Sequence, residues 1–129
     1  MENYPKYVTR EAIESLVKKL SLPEPGPFTQ DWEYEVADVT RINEFLSFYE
    51  NSSFNEEERF ALMIVIIESL NDAIEKGDVD ESILRKAKEL LLKDKAIHTN
   101  TIIYWSLESE DLEDCFAITP FIRCVKEMI

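Results

Sequence analysis

Glycine is nearly missing from this chain, with two in 129 residues, and that scarcity excludes whole fold classes. A sandwich or barrel needs turn glycines at many of its corners. Phosphate cradles need them too, and there is no P-loop or glycine-rich dinucleotide turn. The two cysteines, Cys115 and Cys124, are too few and too far apart for a zinc knuckle or a disulfide framework, and they read as free, buried thiols. The N-terminus carries no basic, apolar leader, and the longest apolar run falls far short of a membrane span. The sequence therefore predicts a cytoplasmic protein of one domain.

Bases are also in short supply. Lysine and arginine number 14 against 27 aspartates and glutamates, a formal charge of −13. The excess is not spread evenly. Residues 31–58 hold nine acids and only Arg41, and residues 106–114 hold five acids and no base. Those two stretches account for the whole net charge. Folded side by side, they would form a negative face that steers a cationic partner inward and repels nucleic acid. The plainer reading is solvated helix surface.

What is present is helical pattern. Phe60 to Ile67 is apolar at every position, which fits a buried strand as well as a buried helix, so the flanks arbitrate. Asn55 with Glu58 is a capping-box pattern, Glu56, Glu57 and Glu58 suit the positive end of a helix dipole, and Gly77 stands where a C-terminal cap belongs. The chain is thus organised around one helix from Asn55 to Lys76. Before it, Thr9 caps a helix with a stripe of Ala12, Ile13, Leu16, Val17 and Leu20. The prolines and glycine of 22–27 stop that helix, after a short tail of residues 1–8. Asp31 to Asp38 is ambiguous in period and reads as an extended or irregular entry, followed by a helix from Asp38 to Tyr49. Asp78 with Glu81 suggests the start of the next helix, Asp94 the start of another, and Thr119-Pro120 the start of a last short one. The fold expected is all-α, a single compact domain of about six helices, as a bundle or as HEAT-like stacked hairpins around the buried central helix.

Catalytic patterns are absent. There is no G-x-S-x-G and no H-E-x-x-H. His98 is the single histidine; an acid–base role would pair it with Cys115 or Cys124 and an acid such as Asp94, but no local motif supports this, and a structural hydrogen bond is the simpler reading. Acid pairs such as Glu33 with Glu35, or Glu110 with Asp111, lack the loop of a calcium site. The expectation is no enzyme, no metal and no cofactor. The aromatics Trp32, Tyr34, Tyr104 and Trp105 lie in or beside the acidic blocks, where aromatic anchors inside a charged rim would supply binding energy, unless they are simply core. Asp38 and Arg41 suggest a structural ion pair at a helix start.

Several segments together resemble a family. They are Asp31-Trp32-Glu33-Tyr34-Glu35-Val36-Ala37-Asp38 with Arg41 and Phe45, Glu68-Ser69, Ile97 to Trp105, and Phe116-Ala117-Ile118-Thr119-Pro120-Phe121-Ile122-Arg123. They are similar to small all-helical immunity proteins of bacterial contact-dependent growth inhibition and related polymorphic toxin systems. The resemblance implies a non-enzymatic protein, monomeric before complex formation, that binds and blocks the toxic C-terminal domain delivered by a sibling cell. Such a toxin is often a basic nuclease acting on tRNA or DNA. Joined to the charge pattern, it singles out Asp31, Glu33, Glu35, Glu108, Glu110, Asp111, Glu113 and Asp114 as an electrostatic face, with Trp32, Tyr34 and Tyr104 as anchors, and no membrane or direct nucleic-acid contact. The competing expectation is a helical adaptor that takes a peptide or helix in a groove between hairpins.

Overall fold

The computed structural model describes residues 7–26 and 31–129, which fold into helices and turns with no strand among them. Residues 1–6 of the tail expected over residues 1–8, and residues 27–30 after the first prolines of the connection, lie outside the described residues. Seven α-helices follow in order: α1 (Arg10–Leu20), α2 (Trp32–Glu35), α3 (Ile42–Asn51), α4 (Glu56–Glu75), α5 (Glu81–Lys93), α6 (Thr99–Ser106) and α7 (Thr119–Glu127). Two short 3-10 turns, Val39–Arg41 and Leu112–Asp114, complete the set. No helix among them is long and apolar enough to cross a membrane.

The central helix forms as its flanks predict. Asn55 accepts from the Glu58 N–H at 2.8 Å, and Glu58 accepts from the Asn55 N–H at 3.0 Å, closing both halves of the capping box. At the other end the Gly77 N–H reaches the Ile74 carbonyl and the Asp78 N–H reaches the Ala73 carbonyl, a Schellman pattern that needs the left-handed φ of 69° at Gly77. Every residue from Phe60 to Ile67 is buried. Such burial requires neighbours all round, and α1, α2 and α3 pack directly against α4. On the remaining side α5 meets α3 and α7, and α6 packs on α7. A bundle around one enclosed helix is the result, with a main apolar cluster running from Ala12 to Val125 and a second, small one of Phe60, Ile64 and Ile97.

Glu58 does more than cap. It also accepts from the Ser15 hydroxyl and from Lys19 Nζ at 2.9 Å, which fastens α1 across the start of α4. Burial works against its charge, but these donors and the Asn55 N–H outweigh burial and hold its carboxyl below the usual range.

Other starts and ends differ from the sequence reading, each because a side chain is engaged elsewhere. Residues 32–35 form one helical turn instead of an extended entry. Asp78 belongs to the C-terminal cap of α4, so Asp80 caps α5, accepting from the Ser82 N–H at 2.9 Å. Asp94 closes α5 rather than opening the next helix; its carboxylate takes the Tyr49 hydroxyl at 2.6 Å and Arg59 at 3.3 Å, and α6 begins only at Thr99. The Thr119 hydroxyl donates to the Trp105 carbonyl at 2.9 Å and so ties α7 to α6, leaving α7 without a side-chain cap. Asp38 and Arg41 do not form the expected ion pair. Asp38 accepts from the Thr40 N–H and hydroxyl, whereas Arg41 forks onto Glu44 and donates to the Leu20 carbonyl. Neither cysteine is buried: Cys124 is exposed and Cys115 is half-buried.

Candidate functional site

The short helix α2 decides where the aromatics go. With Trp32 and Val36 one turn apart, both point inward and are buried. Trp32 is only 2 % exposed and its indole N–H donates to the Pro23 carbonyl at 2.7 Å. It is a core residue that fixes the proline-rich connection, which corrects its expected role as a surface anchor. Asp31, Glu33, Tyr34 and Glu35 then occupy the outer side of the turn, half-buried or exposed.

Tyr34 faces α6. Its ring lies 6.2 Å from the Trp105 ring. Tyr104 stands edge-on to Trp105 at 5.6 Å and remains 51 % exposed, whereas Trp105 is fully buried. Phe116, arriving from the acidic loop, continues the stack at 4.5 Å from Trp105 and 6.0 Å from Tyr104. One chain of aromatic rings thus joins the first acidic stretch to the second, which sequence spacing alone does not reveal.

Between α2, the first half of α4 and α6 lies an open cleft of about 750 Å³. Its back wall is apolar, from Phe60 and Ile64 of α4 with Ile13 of α1. Asp31 and Glu33 supply the only charges among the described lining residues, and both are acidic. Burial, reinforced by Asp31, raises the Glu33 carboxyl above its ordinary value against the opposing pull of a backbone N–H. Tyr34 is driven well up in the same way, first by burial, then by Tyr104, Glu33 and Glu68. In both residues burial, aided by neighbouring acids, disfavours the charged form.

Among the described residues, two buried polar atoms of lining residues have no partner. The Thr101 hydroxyl and the Trp105 indole N–H both belong to residues of the cleft, both are buried, and neither makes a hydrogen bond. Their neighbours Ser106 and Thr119, also buried, are satisfied by carbonyls. Thr101, Phe60 and Ile64 were not singled out as site residues, because their part in the cleft depends on which helices meet.

The second acidic stretch is held in place by one guanidinium. Arg123 of α7 donates to the carbonyls of Ser106 at 2.7 Å, Leu107 at 2.5 Å and Glu110 at 2.9 Å, so it closes the end of α6 and pins the loop that follows. Glu110, Asp111, Glu113 and Asp114 are exposed, and carboxylate oxygens of Asp111, Glu113 and Asp114 lie within 4.8 Å of one another. Glu108 contributes less to the expected face, since Lys126 neutralises it at 3.3 Å. In the first stretch Glu44, Glu50 and Glu58 are likewise paired, with Arg41, Lys86 and Lys19.

His98 is placed away from both cysteines' hydrogen bonds. It is fully buried, with Nε2 2.7 Å from the Tyr49 hydroxyl, in a chain that continues through Asp94 to Arg59. Cys115 instead donates to the Asp111 carbonyl at 3.2 Å. Compared with known proteins, the chain matches no protein-family model, no curated protein and no solved structure.

Proposed function

We propose that the chain is an immunity protein that binds and neutralises a cationic toxin domain, a basic nuclease directed at tRNA or DNA being the best fit, within the cytoplasm of the cell it protects. The observation that carries this reading is the cleft whose described lining combines Asp31 and Glu33 with aromatic rings and no base, joined through Phe116 to a loop of four exposed acids. A polyanion-cleaving enzyme must display a positive cleft, and a negative surface with aromatic anchors complements it. Asp31, Glu33, Tyr34, Tyr104, Glu110, Asp111, Glu113 and Asp114 form the contact surface, with Glu35 at its margin.

The test is co-expression with the C-terminal domain of the protein encoded immediately upstream, followed by size-exclusion chromatography and a viability assay. A one-to-one complex, with the partner toxic only when this chain is missing, is the expected outcome. If the two proteins elute separately and cells are not protected, the reading fails and the acidic stretches revert to solvated surface.

A further inference from the structure

We propose that the cleft between α2, α4 and α6 receives an arginine-bearing peptide segment of the partner, the guanidinium lying between Asp31 and Glu33 and a backbone carbonyl accepting from the Trp105 indole N–H. This rests on the reading of a cationic protein partner and adds which of its groups enters, and where.

The first argument is the pair of unpartnered atoms. A buried indole N–H without an acceptor is a defect that native interiors avoid, and here it occurs beside a second, the Thr101 hydroxyl, in the same cleft wall. The indole can only donate, so the missing group is an acceptor; a peptide carbonyl supplies one, and the Thr101 hydroxyl can donate to it or accept from the next N–H. Trp105 is buried with Tyr34 and Tyr104 packed against its ring, and the half-exposed Tyr104 ring is the element whose movement would open the indole to a ligand.

The second argument is the charge. Asp31 and Glu33 line the cleft with no base among its described residues. Two carboxylates in a cleft that Tyr34 and Tyr104 also line favour a planar guanidinium, which forks onto carboxylates and stacks on rings, over the compact ammonium of lysine. At about 750 Å³ the cleft has the size of a ligand site and holds a short peptide segment rather than a lone side chain.

The experiment uses the full chain labelled with ¹⁵N and the capped peptide Gly-Arg-Gly, with its citrulline counterpart as the neutral isostere. The two indole resonances report separately. Trp105 should shift saturably, with a dissociation constant on the order of 1 mM or tighter, while Trp32, already bonded to Pro23, stays in place and certifies the fold. Citrulline in place of arginine, or Glu33→Gln or Asp31→Asn in the protein, should weaken binding about tenfold or more. An unmoved Trp105 resonance at saturating peptide, or equal binding of the citrulline peptide, overturns the proposal. A toxin complex that forms although the peptide leaves Trp105 unmoved would refute this cleft and preserve the immunity reading. Peptide binding without any toxin complex would do the reverse.

Discussion

His98 makes stability depend on pH in a direction that the structure fixes. The Tyr49 hydroxyl has one proton, and at 2.6 Å from Asp94 it gives that proton to the carboxylate. His98 must then donate from Nε2 to the Tyr49 oxygen, 2.7 Å away, leaving Nδ1 as an unpartnered acceptor. A second proton on Nδ1 would create a buried cation with no acceptor. Burial accordingly pushes the His98 pKa down to about 4, with Asp94 opposing and Arg59 adding to the shift. In the unfolded chain the imidazole titrates near 6.5. The unfolded state therefore binds a proton that the folded state refuses, and stability falls as pH drops below about 6.5, until the folded form also titrates near 4.

At about 1.4 kcal/mol per unit of pKa difference, this group removes roughly 3 kcal/mol between those limits, a large part of the stability of a small domain. Other groups titrate in the same window. Glu33 and Glu68 have raised pKa values, both chiefly through burial, and protonating them favours the folded state. The comparison must therefore be with His98→Gln, which keeps a donor for Tyr49 and does not titrate. Urea unfolding of both proteins from about pH 7.5 down to about pH 4.5 should show the wild-type advantage shrinking by about 2–3 kcal/mol. A difference that stays constant across that range would refute the neutral, buried assignment.

Further outcomes rest on particular contacts. Asn71→Ala leaves the buried Ile118 N–H without its acceptor at 3.0 Å and should cost about 1–3 kcal/mol in urea unfolding. Trp32→Phe loses the bond to Pro23 and should lower stability by about 1 kcal/mol in urea unfolding; Tyr104→Ala should weaken binding about tenfold with little effect on unfolding. Reversing Glu110, Asp111, Glu113 and Asp114 to lysine should slow association with the cationic partner about tenfold or more in low salt, by stopped flow, and an unchanged rate would remove the loop from the proposed face. Arg123→Ala makes the loop more negative yet frees it from three carbonyls, so association should hold or rise while dissociation quickens; surface plasmon resonance separates the two.

The central helix was legible because its signals are local: an all-apolar run, a capping box and a terminal glycine lie within one stretch of sequence. The starts of α5 and α6 were misread for the opposite reason. Asp78 and Asp94 have the chemistry of caps, but Asp78 is consumed by the end of α4 and Asp94 by Tyr49 and Arg59. The α2 turn is too short to show a 3.6-residue period, so the alternation of Trp32, Tyr34 and Val36 with glutamates imitated a strand. Within the site, Asp31, Glu33, Tyr34 and Tyr104 stood out by residue type and setting. Trp32 did not separate from them, because whether an aromatic in an acidic segment faces in or out is settled by a single turn of helix. Phe60, Ile64 and Thr101 reach the cleft from other helices, and no local signal marks them.

The same long-range contacts explain why the negative charge can act as a surface instead of dissolving into solvated ends. Exposed acids on a loose chain attract cations weakly and from every direction, and a partner that orders them bears an entropic cost. Here Trp32 anchors the turn that carries Asp31 and Glu33, while Arg123 and Phe116 anchor the loop that carries Glu110 to Asp114. Both anchors lead back to elements packed around α4. Some acids are neutralised by local bases, as Glu44 by Arg41 and Glu108 by Lys126, whereas no ion pair among the described residues holds Asp31, Glu33 or the acids from Glu110 to Asp114. A helix enclosed on all sides thus does for charge what it does for the core: it fixes where each group stands before any partner arrives.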